Sequence, residues 1–591
     1  MDAVVAAMLS VAQTQTLDFP TRSIALELMV TLTETAPALT RRCPGLVNGL
    51  VPLAMSIMLD VDESEEEWAA QSYADEPQEE NYYVGEEAIE RTAAGMGCRT
   101  LAPPLLAQVQ AFAGNADWTY RRAAVSGLCR LAEGSAAQFV KNKYFEQSLA
   151  FLTGALADTS PRVRYQAMET LGRFAALFPQ QLEQLVTQFV PAVTAILGDT
   201  TACDRVRGHA AAALINLTNP ENCESDMLTK SGVLEPLLRA LAEALQNSSA
   251  AVQPLCLDLL GCVAHAAEDA FAPYYSSFMP GIKGIMVSTR GNPELAKLRG
   301  KAIQAVGLVG EAVGASIFTP DAQEVLGILM ADMQGSAADQ DMDLAFEYVL
   351  PACVRISKAL GASFEPYMQL VMPPLLHGAA QVITCTIEDA QEGDTEGEPI
   401  IDEDTGLESA VIAVQGMRKR VTMNTHAVQQ KVQSARMLLD FASALKGNMK
   451  AFLLPSLEVV LPMVTDKHSH DVRSNASLAV AKLFEAAVDA VKKGFVDPNV
   501  MASVLEQSIN KLLESLKGEI NVGTRACSAD ALLDLLTACY TSGQEQPDGT
   551  FVNSLVRPDV ANSAVICEEL MTRCGESVTR RAEQERSFAG K

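Results

Sequence analysis

A recurring arrangement of small and aliphatic residues behind an arginine marks the chain at nearly regular intervals. In the clearest copy Arg164 is followed three residues later by Ala167 and four residues after that by Leu171. Because these positions share one face of an α-helix, each copy predicts a helix with one apolar face. We expect the arginines to be structural and to pair with an aspartate of the neighbouring turn. Further copies begin at Arg121, Arg207, Arg299 and Arg473, with a weaker one at Gln253.

The spacing of these groups identifies an internal repeat. The anchors at 121, 164, 207, 253 and 299 are 43, 43, 46 and 46 residues apart, and HEAT or armadillo units are about 40–47 residues long. One helix pair cannot bury its apolar faces alone, so neighbouring pairs must stack. We therefore predict an all-α fold, a HEAT-repeat superhelical solenoid. Alternation with period two, which is typical of strands, is not sustained anywhere.

Two acidic stretches interrupt the repeats. Residues 60–90 carry 13 acidic side chains and residues 388–408 carry 10, and neither stretch contains lysine or arginine. Like charges repel, so we predict two extended, partly mobile loop insertions between HEAT repeats at 1–59, 91–387 and 409–591. Such a run can simply keep a protein soluble. Because the first insertion interrupts a repeat, contact with a basic partner is also expected.

The composition and charge of the chain limit which partners it can bind and which chemical activities it can have. The 591-residue chain is 48% hydrophobic and has a net charge of −28. Such a charge repels phosphates and anionic lipids, so we expect neither direct nucleic-acid binding nor a membrane partner. Thirteen cysteines without a C-x-x-C motif predict no disulfide framework and no zinc site. The sequence contains no phosphate-binding glycine loop, nucleophile elbow or H-E-x-x-H motif, so we expect no enzyme activity, metal or cofactor.

Several segments together carry a resemblance to a known family. They are residues 59–69, 117–121, 161–165 and 206–216, followed by 372–376 and 470–473. In order and placement they resemble the importin-β (karyopherin-β) superfamily, and within it the importin-5, or karyopherin β3, branch. The resemblance covers nearly the whole chain. Since the chain begins partway along the family pattern, we expect a fragment that lacks the N-terminal repeats.

This resemblance implies a nuclear import receptor that shuttles between cytoplasm and nucleus. In the family, Lys- and Arg-rich nuclear localisation signals of cargo lie on the concave face of the second helices, and the GTPase Ran in its GTP state releases them. Nucleoporins with Phe-Gly repeats are further expected partners. The resemblance implies a cargo-binding set at Asp117, Trp118, Glu133 and Asn216. It also implies an acidic loop for Ran and cargo exchange at Asp60, Asp62, Glu63, Glu65, Glu66, Glu67 and Trp68.

Each of these assignments has a simpler structural alternative. Trp118 could pack at an inter-repeat turn, Asn216 could hydrogen-bond within the stack, and Glu133 could be a solvated surface residue. Trp68 could contact a partner or dock its own loop. Residues 175–179 lack the acidic stretch that relatives tend to carry there, which puts one cargo contact in doubt. The alternative function is a HEAT-repeat scaffold of a multiprotein complex, for example one that holds a phosphatase.

Overall fold

The computed structural model divides into two compact units, Met1–Val313 and Gly314–Lys591. Within both units helices account for most of the described secondary structure, which confirms the predicted all-α HEAT-repeat class. The residues that the structure describes are 2–61, 63–73, 80–224, 226–335, 345–389, 400–401, 407–414, 417–545 and 551–552. None of the helices in these ranges combines the length and the hydropathy needed to cross a lipid bilayer.

The first unit is built from helices that pack against their chain neighbours and against the next pair. They are α1 (Asp2–Gln13), α2 (Phe19–Thr35), α3 (Pro37–Thr40), α4 (Pro44–Ile57), α5 (Glu65–Ala70), α6 (Glu80–Met96), α7 (Cys98–Ala113), α8 (Trp118–Gly134), α9 (Ala136–Lys141), α10 (Tyr144–Leu156), α11 (Pro161–Leu177), α12 (Leu182–Gly198), α13 (Asp204–Leu217), α14 (Met227–Lys230), α15 (Leu234–Asn247), α16 (Gln253–Ala267), α17 (Tyr275–Ser288) and α18 (Ala296–Val313). Short 3-10 turns lie at Pro179–Gln181, Glu268–Tyr274 and Pro293–Leu295.

The second unit continues with helix pairs and adds a small sheet. Its helices are α19 (Ala315–Gly335), α20 (Leu350–Leu360), α21 (Met368–Ala379), α22 (Thr425–Leu445), α23 (Leu453–Met463), α24 (His470–Lys492), α25 (Pro498–Gly518) and α26 (Val522–Thr541), with a π-helical turn at Ala345–Val349 and 3-10 turns at Gly361–Tyr367 and Lys446–Met449. A two-stranded ribbon pairs Gln544–Glu545 with Phe551–Val552.

The apolar face that the repeat pattern predicts forms the core of the stack. In α11, Ala167 and Leu171 are fully buried, and the corresponding pairs of α8, α13, α18 and α24 are buried as well. Alanine at the first position of each pair lets neighbouring helices approach closely, and the aliphatic residue one turn later fills the space between them. Removing one such side chain, as in Leu171→Ala, costs about 2–5 kcal/mol.

The recurrent arginines make two kinds of contact, with carboxylates of the next repeat and with backbone carbonyls of their own repeat. Arg121 donates from Nε and Nη2 to the carboxylate of Asp158 at 2.7 and 2.8 Å, and Arg473 binds Glu519 in the same bidentate manner. The expected partner is an aspartate of the neighbouring turn, so the pairing of Arg473 with a glutamate departs from that prediction. Arg164 instead donates to the backbone carbonyl of Asp158. At the remaining anchors Arg207 and Arg299 donate to the carbonyls of Leu197 and Met286.

The extended conformation predicted for the first acidic insertion is wrong in two places. Residues Glu65–Ala70 form the short helix α5, because Ser64 accepts from the Glu67 amide while the Glu67 carboxylate accepts from the Ser64 amide, a capping box. Residues 80–90 belong to the long helix α6 of the stack. That helix buries Tyr82 and Ile89, so it has an apolar face that the count of acidic residues concealed.

The prediction that strands are absent is wrong around the second acidic insertion. Four antiparallel strands, β1 (Cys385–Asp389), β2 (Ile400–Ile401), β3 (Glu408–Val414) and β4 (Met417–Met423), pair in the order β1-β4-β3-β2. Lys419 lies opposite Asp389, with Nζ 2.5 Å from Oδ1, and Arg420 lies opposite Glu388. Opposite charges across the strands stabilise the pairing that like charges within one strand would oppose. Residues 390–399 and 402–406 of this insertion lie outside the described residues.

Candidate functional site

Residues 60–61 and 63–73, which we call the acidic segment, lie against α11 and α13, the second helices of two successive pairs, through the side chain of Trp68. This side chain is 3% exposed. Its ring meets Tyr165 edge to face at a centroid distance of 5.3 Å. The guanidinium carbons of Arg162 and Arg205 lie 5.4 and 5.2 Å from the ring centroid, within the range of cation–π attraction. In the structure Trp68 docks its own loop, which is the second of the two interpretations given for this residue.

Polar contacts hold the same segment across the N-terminal ends of α11 and α13. Arg162 Nη1 donates to the carbonyl of Glu63 at 2.8 Å, and the Ser160 hydroxyl donates to the carboxylate of Glu65. Arg205 Nε donates to the carbonyl of Ser72 at 3.2 Å. The segment therefore touches two successive repeats beyond the one into which it is inserted.

A glycine makes room for the last residue of the segment. A Cβ atom built on Gly208 of α13 would lie 2.4 Å from Cδ2 of Tyr73, too close for any side chain at that position. Tyr73 lies beside His209, whose ring stacks on Tyr165 at 3.9 Å. In the sequence, this part of α13 is recognised as a repeat copy beginning at Arg207 and as part of the family resemblance over residues 206–216. The glycine inside an alanine-rich helix was the available signal for a close approach.

The predicted acidic residues divide into an inward and an outward group. Glu63 and Glu65 face the second helices, whereas Asp60, Glu66 and Glu67 are exposed. Hydrogen bonds from the hydroxyl and amide of Ser64 lower the pKa of the Glu67 carboxyl. Asp62 lies outside the described residues. The outward group is the part of the segment that a basic partner can reach without displacing it.

A cavity of about 550 Å³ lies beside the docked Trp68, on the surface formed by the exposed sides of α6, α8, α11 and α13. We call this surface the second-helix face. Its charged lining residues are Glu86, Glu169, Arg122, Arg130, Arg162 and Arg173. Arg130 lies 2.7 Å from Glu86 and 2.7 Å from Glu133, and Arg173 lies 2.9 Å from Glu169 and also binds Glu133. The network joins α6, α8 and α11.

Burial and neighbouring charges shift several pKa values in this cavity. Burial raises the pKa of Glu86, although Arg130 opposes the shift. Burial acts in the same direction on Glu169, but the surrounding basic groups hold the pKa of that carboxyl below its ordinary value. Burial lowers the pKa of His209 to about 4. At neutral pH the cavity therefore contains an ionised Glu169 next to an uncharged imidazole.

The four residues expected to bind cargo occupy three different positions. Glu133 is part of the ion-pair network, with a side chain 13% exposed, and the exposed Asn216 lines the same cavity. Trp118 is half-buried at the segment, with the Arg162 guanidinium carbon 4.9 Å from its ring. Asp117 caps α8 by accepting from the Thr119 amide at 2.9 Å. The structure thus places Glu133 in the ion-pair network and Asn216 on the cavity wall, and it leaves Asp117 apart from both.

Sequence reasoning missed the residues that complete the cavity. Glu169 and Arg173 lie four residues apart on α11, a spacing that favours an ion pair on one helix face. That spacing was the available signal for the network. In the described ranges no group of three or more histidine, cysteine, aspartate or glutamate residues could hold a metal ion. The chemistry that this arrangement offers is recognition of charge.

Stacked HEAT pairs with an ion-pair network on the second-helix face define the class of helical-repeat binding proteins. Sequence profiles place the chain within it more closely. An "Importin repeat" profile matches residues 14–103, a "HEAT-like repeat" profile matches 118–174, and an "Importin subunit beta-1-like, TPR repeats" profile matches 221–396. Two importin profiles thus match parts of the chain, and its repeats resemble those of the importin-β family.

Individual relatives agree with this resemblance. Importin subunit beta-3 of Saccharomyces cerevisiae is 29% identical over 467 residues, which are 78% of this chain and 41% of the relative. A probable importin-5 homolog of Dictyostelium discoideum is 23% identical over 306 residues, 51% of this chain and 26% of the relative. The chain thus spans about two fifths of the length of the yeast relative.

Solved structures show the same fold. Kap121p bound to Pho4p has a TM-score of 0.76 and 24% identity, covering 91% of this chain and 50% of that one. Kap121p bound to Nup53p has a TM-score of 0.78 and 23% identity, covering 98% of this chain and 52% of that one. At these identities the likeness concerns the arrangement of helices.

Proposed function

We propose that this chain acts as a nuclear import receptor that binds Lys- and Arg-rich localisation signals on its second-helix face and releases them when Ran-GTP binds. The observation that carries the proposal is the carboxylate network of the cavity. Four carboxylates, those of Glu86, Glu90, Glu133 and Glu169, surround the Arg130 guanidinium within 4.0 Å. Arg173 is the second cation of this network, and Arg122 and Arg162 also line the cavity.

The cavity offers each group that an extended basic peptide needs. Carboxylates form strong charge-assisted hydrogen bonds with ammonium and guanidinium groups. The amide of Asn216 can donate to and accept from a peptide backbone at once. Trp118 is not a lining residue, but its half-buried ring lies against Arg162, which is one, and offers an apolar surface for the stem of a long basic side chain. We propose that these residues, with Glu133, contact the signal.

The outward carboxylates of the acidic segment serve a second role in the proposal. Asp60, Glu66 and Glu67 are exposed next to the cavity and add negative potential, which raises the association rate of a basic partner. We propose that Ran-GTP and cargo both meet this part of the chain. Inward contacts of Glu63 and Glu65 hold the segment in place for that encounter.

The names of the relatives support transport rather than a static scaffold. Relatives of this chain are importins, and the solved Kap121p structures hold the proteins Pho4p and Nup53p. By analogy we propose basic cargo proteins and nucleoporins with Phe-Gly repeats as partners of this chain, which would shuttle between cytoplasm and nucleus. The scaffold alternative assigns no role to the cavity network.

The direct test is binding of a fluorescent lysine-rich peptide, followed by anisotropy, with and without Ran-GTP. We expect binding that weakens with salt and release of the peptide when Ran-GTP is added. Reversing the charges of Asp60, Glu66 and Glu67 should weaken binding and flatten its salt dependence, whereas reversing the solvent-exposed Glu235 of α15 should not. Peptide that stays bound at saturating Ran-GTP would favour the scaffold instead.

A further inference from the structure

Arg173 is the cation of the cavity network that solvent can reach. Its side chain is 39% exposed, against 12% for Arg130. Its guanidinium nevertheless binds two carboxylates on two helices. Nε and Nη2 donate to Glu169 Oε1 at 3.1 and 2.9 Å, and Nη1 donates to Glu133. A cation therefore occupies a two-carboxylate site while its stem lies at the surface.

A further cation cannot enter this site unless one leaves. Glu133 is shared between Arg130 and Arg173, and Glu169 accepts two bonds from Arg173. Arg130 is held by Glu86 as well and is mostly buried, so releasing it would leave several buried carboxylates unpaired. Arg173 can rotate into water with a smaller penalty because it is already partly solvated.

Buried nitrogen atoms without hydrogen-bond partners among the described residues lie on the wall of the same cavity, including Nδ1 of His209 and Nε of Arg130. The His209 ring lies between Tyr165 and Tyr73 and is uncharged near neutral pH. An unpaired buried polar atom is unfavourable, so such atoms mark a place where a bound group can be accommodated. Nδ1 of a neutral imidazole can accept from a donor that enters the cavity.

We infer that Arg173 occupies, in the free chain, the position that a lysine or arginine side chain of a bound partner takes, so that the chain's own arginine competes with the partner. The inference rests on the proposed function, because it identifies the place where the basic signal inserts its side chain. Displacement would rotate Arg173 outward and leave Glu133 and Glu169 to the incoming cation. The self-occupied site would then select partners whose cation binds both carboxylates.

The test compares the affinity of the lysine-rich peptide for wild type, R173M and R173K, with R239M as the control. Methionine keeps the length of the stem and removes the competing charge. We expect R173M to bind about tenfold more tightly, which is the effect of one charge-assisted hydrogen bond. Lysine forms fewer bonds to two carboxylates than arginine, so R173K should bind about threefold more tightly. R239M removes an exposed arginine of α15 and corrects for the change in net charge.

The possible outcomes distinguish failure of this inference from failure of the proposed function. Tighter binding by R173M than by R239M, lost again in R173M/E133Q, supports the inference. If wild type binds the peptide through Glu133 but R173M matches R239M, the inference is wrong and the proposed function stands. If no variant binds, both are wrong. Should R173M fail to fold, R173K decides, because it keeps the charge that the two carboxylates require.

Discussion

The two acidic insertions have similar compositions and different structures. In the acidic segment, one aromatic side chain, Trp68, docks between arginines that belong to the helices of other repeats. In the second insertion no such anchor exists among the described residues, and the chain pairs with itself. There a basic strand, Met417–Met423, lies opposite the acidic end of β1. The position of an acidic run is therefore set by the cationic side chains that face it. These side chains can lie far away in the sequence or within the same insertion.

The largest expected effect comes from removing the aromatic anchor. Trp68→Ala deletes a buried ring and its contacts with Tyr165, so we expect a loss of about 3 kcal/mol in the free energy of unfolding of the first unit. Cleavage by protease within residues 60–73 should accelerate. Ile387→Ala, in the second insertion, removes a side chain that is 65% exposed and should change stability little. Equal effects of the two substitutions would contradict the comparison.

A smaller effect is expected where the segment ends. Gly208→Ala places a methyl group against the Tyr73 ring, and such overpacking costs about 1–3 kcal/mol, partly offset by better helix propensity. Proteolysis of the segment reports the loosened docking. Gly154→Ala is the matched control because a Cβ there meets no atom within 4 Å. Tyr73→Ala combined with Gly208→Ala should restore the stability of α13 but not the protection of the segment.

The second insertion should respond to charge alone. Lys419→Glu places a carboxylate opposite Asp389 and should destabilise the sheet by up to about 1 kcal/mol. Exchanging the pair, with Asp389→Lys and Lys419→Glu together, should recover the loss. Amide hydrogen exchange of residues 417–423 measures both the loss of sheet stability and its recovery. Exchange that stays equally slow in the single variant would show that the backbone ladder, not the charge pair, holds the strands.

The smallest expected effect is the loss of segment docking at acidic pH. Because the folded pKa of Glu67 is lowered, its capping bonds stabilise α5 above the ordinary carboxyl pKa and are lost as the pH falls through the lowered one. Fluorescence of Trp68 in a Trp118→Phe background should therefore report undocking only in that acidic range. Ser64→Ala removes the capping box and should move the transition toward neutral pH. An unchanged transition pH in this variant would show that the capping box does not contribute to docking of the segment.

Local sequence patterns predicted the stack but not the placement of the insertions. The helix faces around Ala167 and Leu171 follow from spacing within one helix, and the structure buries both residues. The site of Trp68 depends on Arg162 and Arg205, which lie about a hundred residues further along the chain, so no local pattern could locate it. The strands escaped prediction because the charges that stabilise them face each other only after pairing.

Part of the candidate cavity was accessible from the sequence as well. Glu133 and Asn216 were singled out; Asn216 lines the cavity, and Glu133 binds Arg173, which lines it. Glu169 and Arg173 were not, since their importance comes from the carboxylate that α8 places beside them. Asp117, whose role as a cargo contact stays a prediction, caps α8.

The central claim is that the paired carboxylates of the second-helix face bind a basic side chain. Calorimetric titration of the lysine-rich peptide into wild type, E133Q/E169Q and the surface control E235Q tests it most directly. The account predicts that E133Q/E169Q weakens binding at least about tenfold, since two charge-assisted contacts are lost, while E235Q matches wild type. Equal affinity of E133Q/E169Q and E235Q for the peptide would contradict the claim.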